Sequence, residues 1–568
     1  MIFHHRNKLN MKPALPVFAS VVFTLLLCFP YGLRAQEKNE EVTIIAPYNP
    51  TITTAQKINR NPRINLMESS SIPEIEYNIR SERINTTVSP ENPIPSRVPG
   101  EPSKDLYRSH LRAGFGNYLT PYFELWVNSL QSDEFNAGAH IGHISSFGQI
   151  KNYAKSSFSN TLVEAYGTKF FSGGGIGAKV GYKRNMVHRY GFMPDDFPGL
   201  DVPDEDIKQV YQKIGFNVAV ESNNAADDAF NYYVALDGYY YFDKYDSRET
   251  GIFFLPGISK KMDVFGNGRS QELGLDMRLD YYLNKDSIQD HNSGIFSARP
   301  FFDMNLSPYR IYIGLQADYR IDTVSKFHLY PVIRAEASLL EDMIVVYAGI
   351  EGGLKRNSFE ELSTENPFIN SIVPLAYTNH KFEVFGGLKG RITEIVDFNI
   401  QVRYSTVENM PLFVTDTSNI LENTFDLVYD DANIFQIVGE LGFRSKSDFG
   451  LLLKAGFNSY SMDKEEKAWQ KPALMASLEA YYIIKNDLTL SANLTARSGM
   501  YARTFSAGQL VAEQMDGWLD LGLGGEYRIN SQFSAFLKLN NLLSQGYQKW
   551  YNYPVQKFNV LAGVGFSF

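Results

Sequence analysis

His140 and His143 form a His-x-x-His sequence, the kind of spacing that can bind a metal ion when both side chains share a face. The surrounding residues alternate between apolar and polar as in a β-strand. Residues three apart on a strand point to opposite faces. We therefore expect that these two imidazoles do not share a metal ion.

Other candidates for chemistry are equally weak. The acidic stretch 194–206 offers carboxylates for a cation, although a solvated loop is the more ordinary interpretation. The glycine run Ser172–Gly175 falls at a turn and not between a strand and a helix, so it does not resemble a phosphate-binding loop. No serine, histidine and acidic residue show the local pattern of an activated nucleophile. The sequence predicts a protein that is not an enzyme and has no cofactor.

The composition limits what elements can position these residues. The 568 residues include 40 Phe and 35 Tyr, and 14% of the chain is aromatic, which excludes disorder throughout. Mean hydropathy is −0.24, too low for a bundle of apolar membrane helices. The net charge of −9 gives no reason to expect a nucleic-acid partner. A β-rich protein remains.

The first 35 residues have the pattern of an export signal. Basic residues precede the apolar run Ala14–Cys28, and Ala35 is a small residue before the expected cleavage point. We predict a signal peptide at 1–35, and the only cysteine, Cys28, would be removed with it. Residues 36–105 are polar and rich in proline, which predicts an extended periplasmic arm. One β-prone hexapeptide interrupts this arm, and its residues are Glu41, Val42, Thr43, Ile44, Ile45 and Ala46.

From residue 106 to 568 the hydrophobic period is two. Alternation in segments such as 273–281, 311–321 and 488–496 continues for about 10 residues or more, the length needed to cross a bilayer as a tilted strand. Towards the C-terminus tight turns alternate with long connections, as in outer-membrane barrels. Segment 245–269 breaks this order and must hide a strand or be an unusually long connection. We predict an all-β fold, a transmembrane antiparallel β-barrel of about 22 strands, with 20 as the alternative.

Charges of both signs fall on the face of these strands opposite the apolar one. Such a mixture does not fit an ion-selective pore, which would favour one sign. It fits a lumen crossed by ion pairs or one filled by the arm. The predicted lumenal charges are Asp276, Arg278, Asp318, Arg320, Glu383, Lys389, Arg391, Asp397, Arg403, Glu440, Arg444, Asp520, Glu526, Arg528 and Lys538.

The last strand carries the most specific pattern. Gly563, Phe566 and Phe568 resemble the C-terminal assembly signal of outer-membrane proteins, Gly-x-x-aromatic-x-aromatic, although Leu561 stands where a polar residue is expected. The resemblance implies insertion into outer-membrane lipid by the barrel assembly machinery of a Gram-negative cell envelope.

The final 32 residues also resemble the closing hairpin of TonB-dependent receptors, and the hexapeptide Glu41–Ala46 resembles their TonB box. The family's globular plug domain is not expected, because only residues 36–105 precede the barrel. The resemblance implies a part in transport across the outer membrane, with TonB as a partner. The alternative is a non-conducting barrel that serves as a scaffold in an envelope complex, its arm docking a periplasmic or lipoprotein partner.

Overall fold

A computed structural model describes residues 108–129, 132, 134–222, 229–266, 270–288, 290–340, 343–445, 448–506 and 509–568. The predicted signal peptide, the arm and the hexapeptide Glu41–Ala46 lie outside the described residues.

Long strands dominate the described part of the chain. Their sequences alternate between apolar residues on an exposed outer face and mostly polar or small residues on the inner face, and many of their residues are β-branched or aromatic. The described ranges also contain a short α-helix, α1 (Phe359–Glu365), and a 3₁₀ turn (Pro194–Asp196). None of the helical segments in these ranges has the length and apolar character to cross a membrane. The strands are β1 (Ser109–Gly116), β2 (Thr120–Asn128), β3 (Phe135–Ser146), β4 (Phe158–Phe171), β5 (Gly174–His188), β6 (Lys208–Ser222), β7 (Phe230–Asp243), β8 (Arg248–Met262), β9 (Gln271–Lys285), β10 (Asp290–Leu306), β11 (Tyr309–Ile321), β12 (Lys326–Leu339), β13 (Ile344–Arg356), β14 (Tyr377–Thr393), β15 (Val396–Thr415), β16 (Phe425–Ser445), β17 (Phe449–Met462), β18 (Leu474–Ile484), β19 (Leu488–Ser498), β20 (Tyr501–Ser506), β21 (Gln509–Gln514), β22 (Trp518–Arg528), β23 (Phe533–Asn540), β24 (Gln548–Trp550), β25 (Tyr553–Pro554) and β26 (Asn559–Ser567).

Within these ranges, 22 of the strands form one closed antiparallel sheet. Each strand pairs with the next in the chain, and β26 pairs with both β23 and β1. The closing seam pairs β1 with β26 from His110–Ser567 to Gly116–Leu561, and two further backbone hydrogen bonds, each 3.0 Å long, join Ser109 and Phe568 at its end. The remaining pairs, β20–β21 and β24–β25, are small hairpins in loops. The prediction of a 22-stranded barrel is confirmed.

The two faces of the wall are those that the alternation predicted. Leu315 is 47% exposed on the outside, whereas the neighbouring Gln316 points inward and donates a hydrogen bond to Asp318. On the last strand Val564 and Phe568 are exposed in the same way. An apolar outer face with every strand paired satisfies what a bilayer demands, because lipid offers no hydrogen bonds to an open sheet edge.

The connections differ at the two ends of the barrel. At the end that carries Ser109 and Phe568, several turns are tight, such as 172–173 and 394–395. At the other end lie the longer connections 189–207, 357–376, 416–424, 499–517 and 541–558. Segment 245–269 contains β8, so the strand that restores the even count is present. By the rule for outer-membrane barrels, the end with long loops faces the cell exterior.

Candidate functional site

The barrel interior contains a cavity of about 950 Å³ against strands β6–β13. Its wall is charged, but the charges are matched in pairs. Arg299 Nη2 lies 2.9 Å from Asp276 Oδ2, and Arg278 Nε donates to Asp280 Oδ1 at 2.6 Å. The cavity therefore offers hydrogen-bonding groups without a strong field of one sign.

The same pairing is found elsewhere on the inner wall. The predicted lumenal charges alternate with apolar outward residues, as Arg403 does between Val402 and Tyr404. Arg403 Nη1 lies 2.7 Å from Glu383 Oε2. Comparable pairs are Lys454–Glu440 on the neighbouring strands β17 and β16, Lys389–Glu336 on strands separated by β13, and Arg112–Glu526 on strands separated by β26 and β23. Ion pairs along the inner wall are therefore present, as one of the two interpretations of the mixed charges predicted.

Helix α1 lies at the outer end of this cavity, and the two-residue hydrophobic period did not predict it. Ser358 is the N-cap, and its hydroxyl accepts a hydrogen bond of 3.1 Å from Glu361 N. The pattern Ser-x-x-Glu is a capping-box signature that could have revealed the helix. Glu249, fully buried on β8, accepts further hydrogen bonds from Phe359 N at 2.8 Å and Glu360 N at 3.1 Å. A carboxylate of the wall thus holds the helix N-terminus by its free amides.

Four outer loops pack together with the outer ends of the strands. We call them the loop cap, and they span 189–207, 357–376, 416–424 and 541–558. At their centre the rings of Phe368 and Tyr553 stack with centroids 3.6 Å apart. Tyr553 is 2% exposed. Around this pair the buried side chains are Tyr211, Tyr241, Phe359, Leu362, Ile369, Val373, Phe413, Phe425 and Leu427. These loops connect β5 with β6, β13 with β14, β15 with β16 and β23 with β26, so segments from separate parts of the barrel meet in this apolar core at its outer end.

Polar contacts join the same loops. Tyr553 donates through its hydroxyl to Asn423 O at 2.5 Å, and Asn423 Nδ2 donates to Arg189 O at 2.6 Å. Arg189 Nη2 in turn donates to Ile369 O at 2.9 Å. One chain of hydrogen bonds thus connects all four loops of the cap. The two-residue hydrophobic period of the strands did not predict this assembly, because the loops have no repeating pattern.

The residues of the predicted assembly signal lie at the closing seam. Gly563 pairs with Gly114 across the seam, and the ring of Phe536 covers both glycines. A Cβ on Gly563 would lie 2.4 Å from Phe536 Cζ, so a side chain there would displace the ring. Phe566 and Phe568 stack on the outside with centroids 5.3 Å apart. The signal role itself stays a prediction.

The histidines have separate surroundings, as the spacing predicted. His140 stacks on Trp126 with ring centroids 4.5 Å apart, whereas His143 Nδ1 lies 2.9 Å from Thr161 Oγ1. In the acidic loop, Lys155 pairs with Asp204 and Lys208 pairs with Glu205. Over the described ranges, no three His, Cys, Asp or Glu side chains are grouped so that they could hold a metal ion.

No protein-family model matches the sequence, and no curated protein matches it. Solved structures do match the fold. The ferric-catecholate import receptor Fiu from Escherichia coli K12 has a TM-score of 0.62 at 10% identity, and the match covers 82% of each chain. The pyoverdine outer-membrane receptor FpvA from Pseudomonas aeruginosa has a TM-score of 0.62 at 12% identity, with 82% of this chain and 79% of that one covered. The siderophore receptor PirA from Acinetobacter baumannii has a TM-score of 0.61 at 11% identity, with 82% and 81% covered.

At such low identity these matches show a shared fold. They agree with the resemblance to receptor barrels that the closing hairpin suggested. A closed antiparallel barrel with an apolar outer face is a structure of the outer membrane. The chain is therefore an outer-membrane β-barrel that resembles the barrel of TonB-dependent siderophore receptors.

Proposed function

We propose that the protein takes part in the import of a solute across the outer membrane, as a barrel of TonB-dependent-receptor type. One observation carries this proposal: a charge-paired lumen lies beneath a loop cap that is itself a packed core. A passive pore has no need of such a cap. A receptor that admits one solute and excludes others needs such a cap, because the cap can bind the solute and then open.

The solved structures of similar fold support import over the scaffold alternative, since they are described as import or siderophore receptors. In this proposal the hexapeptide Glu41–Ala46 adds as a strand to TonB, and pulling on the arm supplies the energy for opening. The six residues of the hexapeptide are enough for one short β-ladder. If the proline-rich residues between it and β1 are extended, as their composition predicts, the hexapeptide can reach a periplasmic partner.

The test uses proline, which removes a backbone donor and prevents ladder pairing. We compare Thr43→Pro and Ile44→Pro with Thr54→Pro, a control in the same arm outside the hexapeptide. Co-purification of the full-length protein with the C-terminal domain of TonB should be lost in the first two variants and kept in the control. Metabolite profiles of periplasmic extracts should show one solute depleted in the same two variants. Binding of TonB that is equal in all three variants would contradict the coupling.

A further inference from the structure

A second, smaller cavity of about 470 Å³ lies between the inner wall and the outer loops, away from the charged cavity described above. Its wall side is formed by the outer ends of β19 and β22, which contribute Arg497 and Trp518. Its loop side is formed by Gln470, from the connection between β17 and β18, and by Tyr547 and Lys549 of the last loop. Its size suits a small organic molecule.

Three buried polar atoms on this cavity have no partner. Gln470 is 5% exposed, and both its Nε2 and its Oε1 lack hydrogen bonds. Trp518 is 7% exposed, and its Nε1 is equally unpartnered. Leaving such groups buried and unpaired costs about 1–3 kcal/mol each, so their presence together at one cavity needs an explanation. A ligand that donates one hydrogen bond and accepts two would satisfy all three.

The charges on the cavity leave an excess of positive charge. Lys471 is neutralised by Glu365, with Nζ 2.8 Å from Oε1. Asp520 accepts a hydrogen bond of 2.5 Å from the Tyr547 hydroxyl. Arg497 and Lys549 have no ion-pair partner among the described residues, and the Arg497 guanidinium lies 5.7 Å from the centre of the Trp518 ring. The cavity therefore has one net positive charge.

The aromatic groups at this cavity are already held in place. The rings of Trp518 and Tyr547 stack with centroids 4.4 Å apart and an angle of 15° between their planes. Trp550 packs with its ring centroid 5.1 Å from that of Phe413 in the loop-cap core. The site is thus preformed, and only its hydrogen bonds and its charge remain unmatched.

We propose that this cavity binds a small organic anion, whose carboxylate or phosphate is held by Arg497 and Lys549 and whose hydroxyl or amide groups bond to the Gln470 amide and the Trp518 indole N–H. In the proposed function this is where the solute rests during import. That role depends on the import proposal, but the binding does not.

The test measures binding to the detergent-solubilised, full-length protein. The probes are glucuronate, glucose 6-phosphate and, as the neutral comparison, glucose. Two of the four tryptophans, Trp518 and Trp550, line the cavity, so their fluorescence and titration calorimetry report binding. We expect saturable binding of at least one anion and none of glucose, and the preferred anion distinguishes a carboxylate from a phosphate.

Three variants locate the binding. Arg497→Gln and Lys549→Gln should each weaken it about tenfold or more, since each removes a charge-assisted hydrogen bond. Gln470→Met should weaken it as much while leaving thermal stability equal or higher, because an apolar isostere removes the unpaired amide. Arg391→Gln, at the opposite end of the lumen, is the matched control and should bind as the wild type does.

The proposal is overturned if the wild type binds neither anion, if glucose binds as well as they do, or if the three variants bind like the control. Because no TonB is present, these results are independent of the coupling test. Loss of TonB co-purification in the proline variants together with an absence of anion binding would separate the two proposals.

Discussion

Glu249 in the wall of the barrel is joined to Phe359 in the loop cap by a hydrogen bond of 2.8 Å between its Oε2 and the backbone N–H. The carboxylate is fully buried, and it also accepts from the Tyr239 hydroxyl and from Asn284 Nδ2. One side chain thus connects three wall strands, β7, β8 and β9, with helix α1. We regard this contact as the anchor of the second loop of the cap.

Replacing Glu249 with Gln should loosen helix α1, because an amide cannot accept from all four of these donors. The loss of one or two bonds to a buried group amounts to about 1–3 kcal/mol. Hydrogen exchange of the backbone amides in 358–366 should then be about 10–100-fold faster. Glu361→Gln is the control, since Glu361 pairs with Lys355 at the half-exposed side of the same helix. Equal exchange in both variants would show that Glu249 is not the anchor.

Replacing Tyr553 with Ala should open the loop cap. The change removes the ring that stacks on Phe368 and leaves a void in a packed aromatic core, at a cost of about 3–5 kcal/mol. In planar bilayers we expect ion conductance from Tyr553→Ala that the wild type lacks. Tyr553→Phe keeps the stacked ring and loses only the bond to Asn423, so it should conduct far less. If Tyr553→Ala shows no ion conductance, contacts other than the Phe368–Tyr553 stack keep the outer end of the barrel closed.

The two faces of β11 should differ sharply in their tolerance of charge. Leu315→Arg places a guanidinium in lipid near the middle of the strand and should destabilise the barrel by about 2–4 kcal/mol. Gln316→Arg puts the same group into the hydrated lumen beside Asp318, where it should be tolerated. Unfolding titrations in lipid vesicles measure both. Similar losses in the two variants would refute the assignment of the faces.

Deleting Phe568 should impair assembly of the barrel. The deletion removes both backbone hydrogen bonds to Ser109 and so opens one end of the seam, where lipid cannot replace them, while the pairs from His110–Ser567 to Gly116–Leu561 remain. We expect a reduced fraction of heat-modifiable, folded protein in the membrane. Phe568→Tyr retains the backbone and an aromatic ring and should assemble normally. Normal folding after the deletion would remove the support for the assembly signal.

The loop 416–424 should be less well held at low pH. Burial alone would raise the pKa of Asp416, but hydrogen bonds from Ser418, Asn370 and Thr424 outweigh it and hold the pKa below the usual value. A carboxylate with a lowered pKa stabilises the folded state above its unfolded pKa, about 3.9, and this stabilisation is lost as the pH falls through the folded pKa.

Hydrogen exchange within 417–424, corrected for the intrinsic effect of pH, should therefore show lower protection at acid pH than at neutral pH. In Asp416→Asn the protection should already be low at neutral pH and change little on acidification. A wild-type loop whose protection is independent of pH would contradict the role given to Asp416.

The barrel itself was predictable from the sequence because alternation is a property of each strand. Leu315 and Gln316 reveal their faces without knowledge of any neighbour, and a tight turn such as 485–487 reveals where one strand ends and the next begins. The length of segment 245–269 required a strand, and β8 occupies it. The lumenal ion pairs followed from the mixture of signs on the inward positions.

The loop cap and the smaller cavity were not predictable in this way. Phe368 and Tyr553 are far apart in sequence and meet only because the closed sheet brings their loops together. Gln470 likewise has no local signature, since its unpaired amide becomes evident only when every possible partner is placed around it. Sites made from several loops depend on the whole ring of strands and not on any one segment.

The seam between Ser109 and Phe568 also determines how late in folding the barrel can close. Its two partners are the first and the last barrel residues to leave the ribosome, with more than four hundred residues synthesised between them. Pairing of such distant segments is the costliest in chain entropy and comes late in folding. A chain that ends early has no partner for β1, so it keeps two open edges and remains a substrate for chaperones and proteases. The barrel therefore closes only after the whole of β26 has been synthesised.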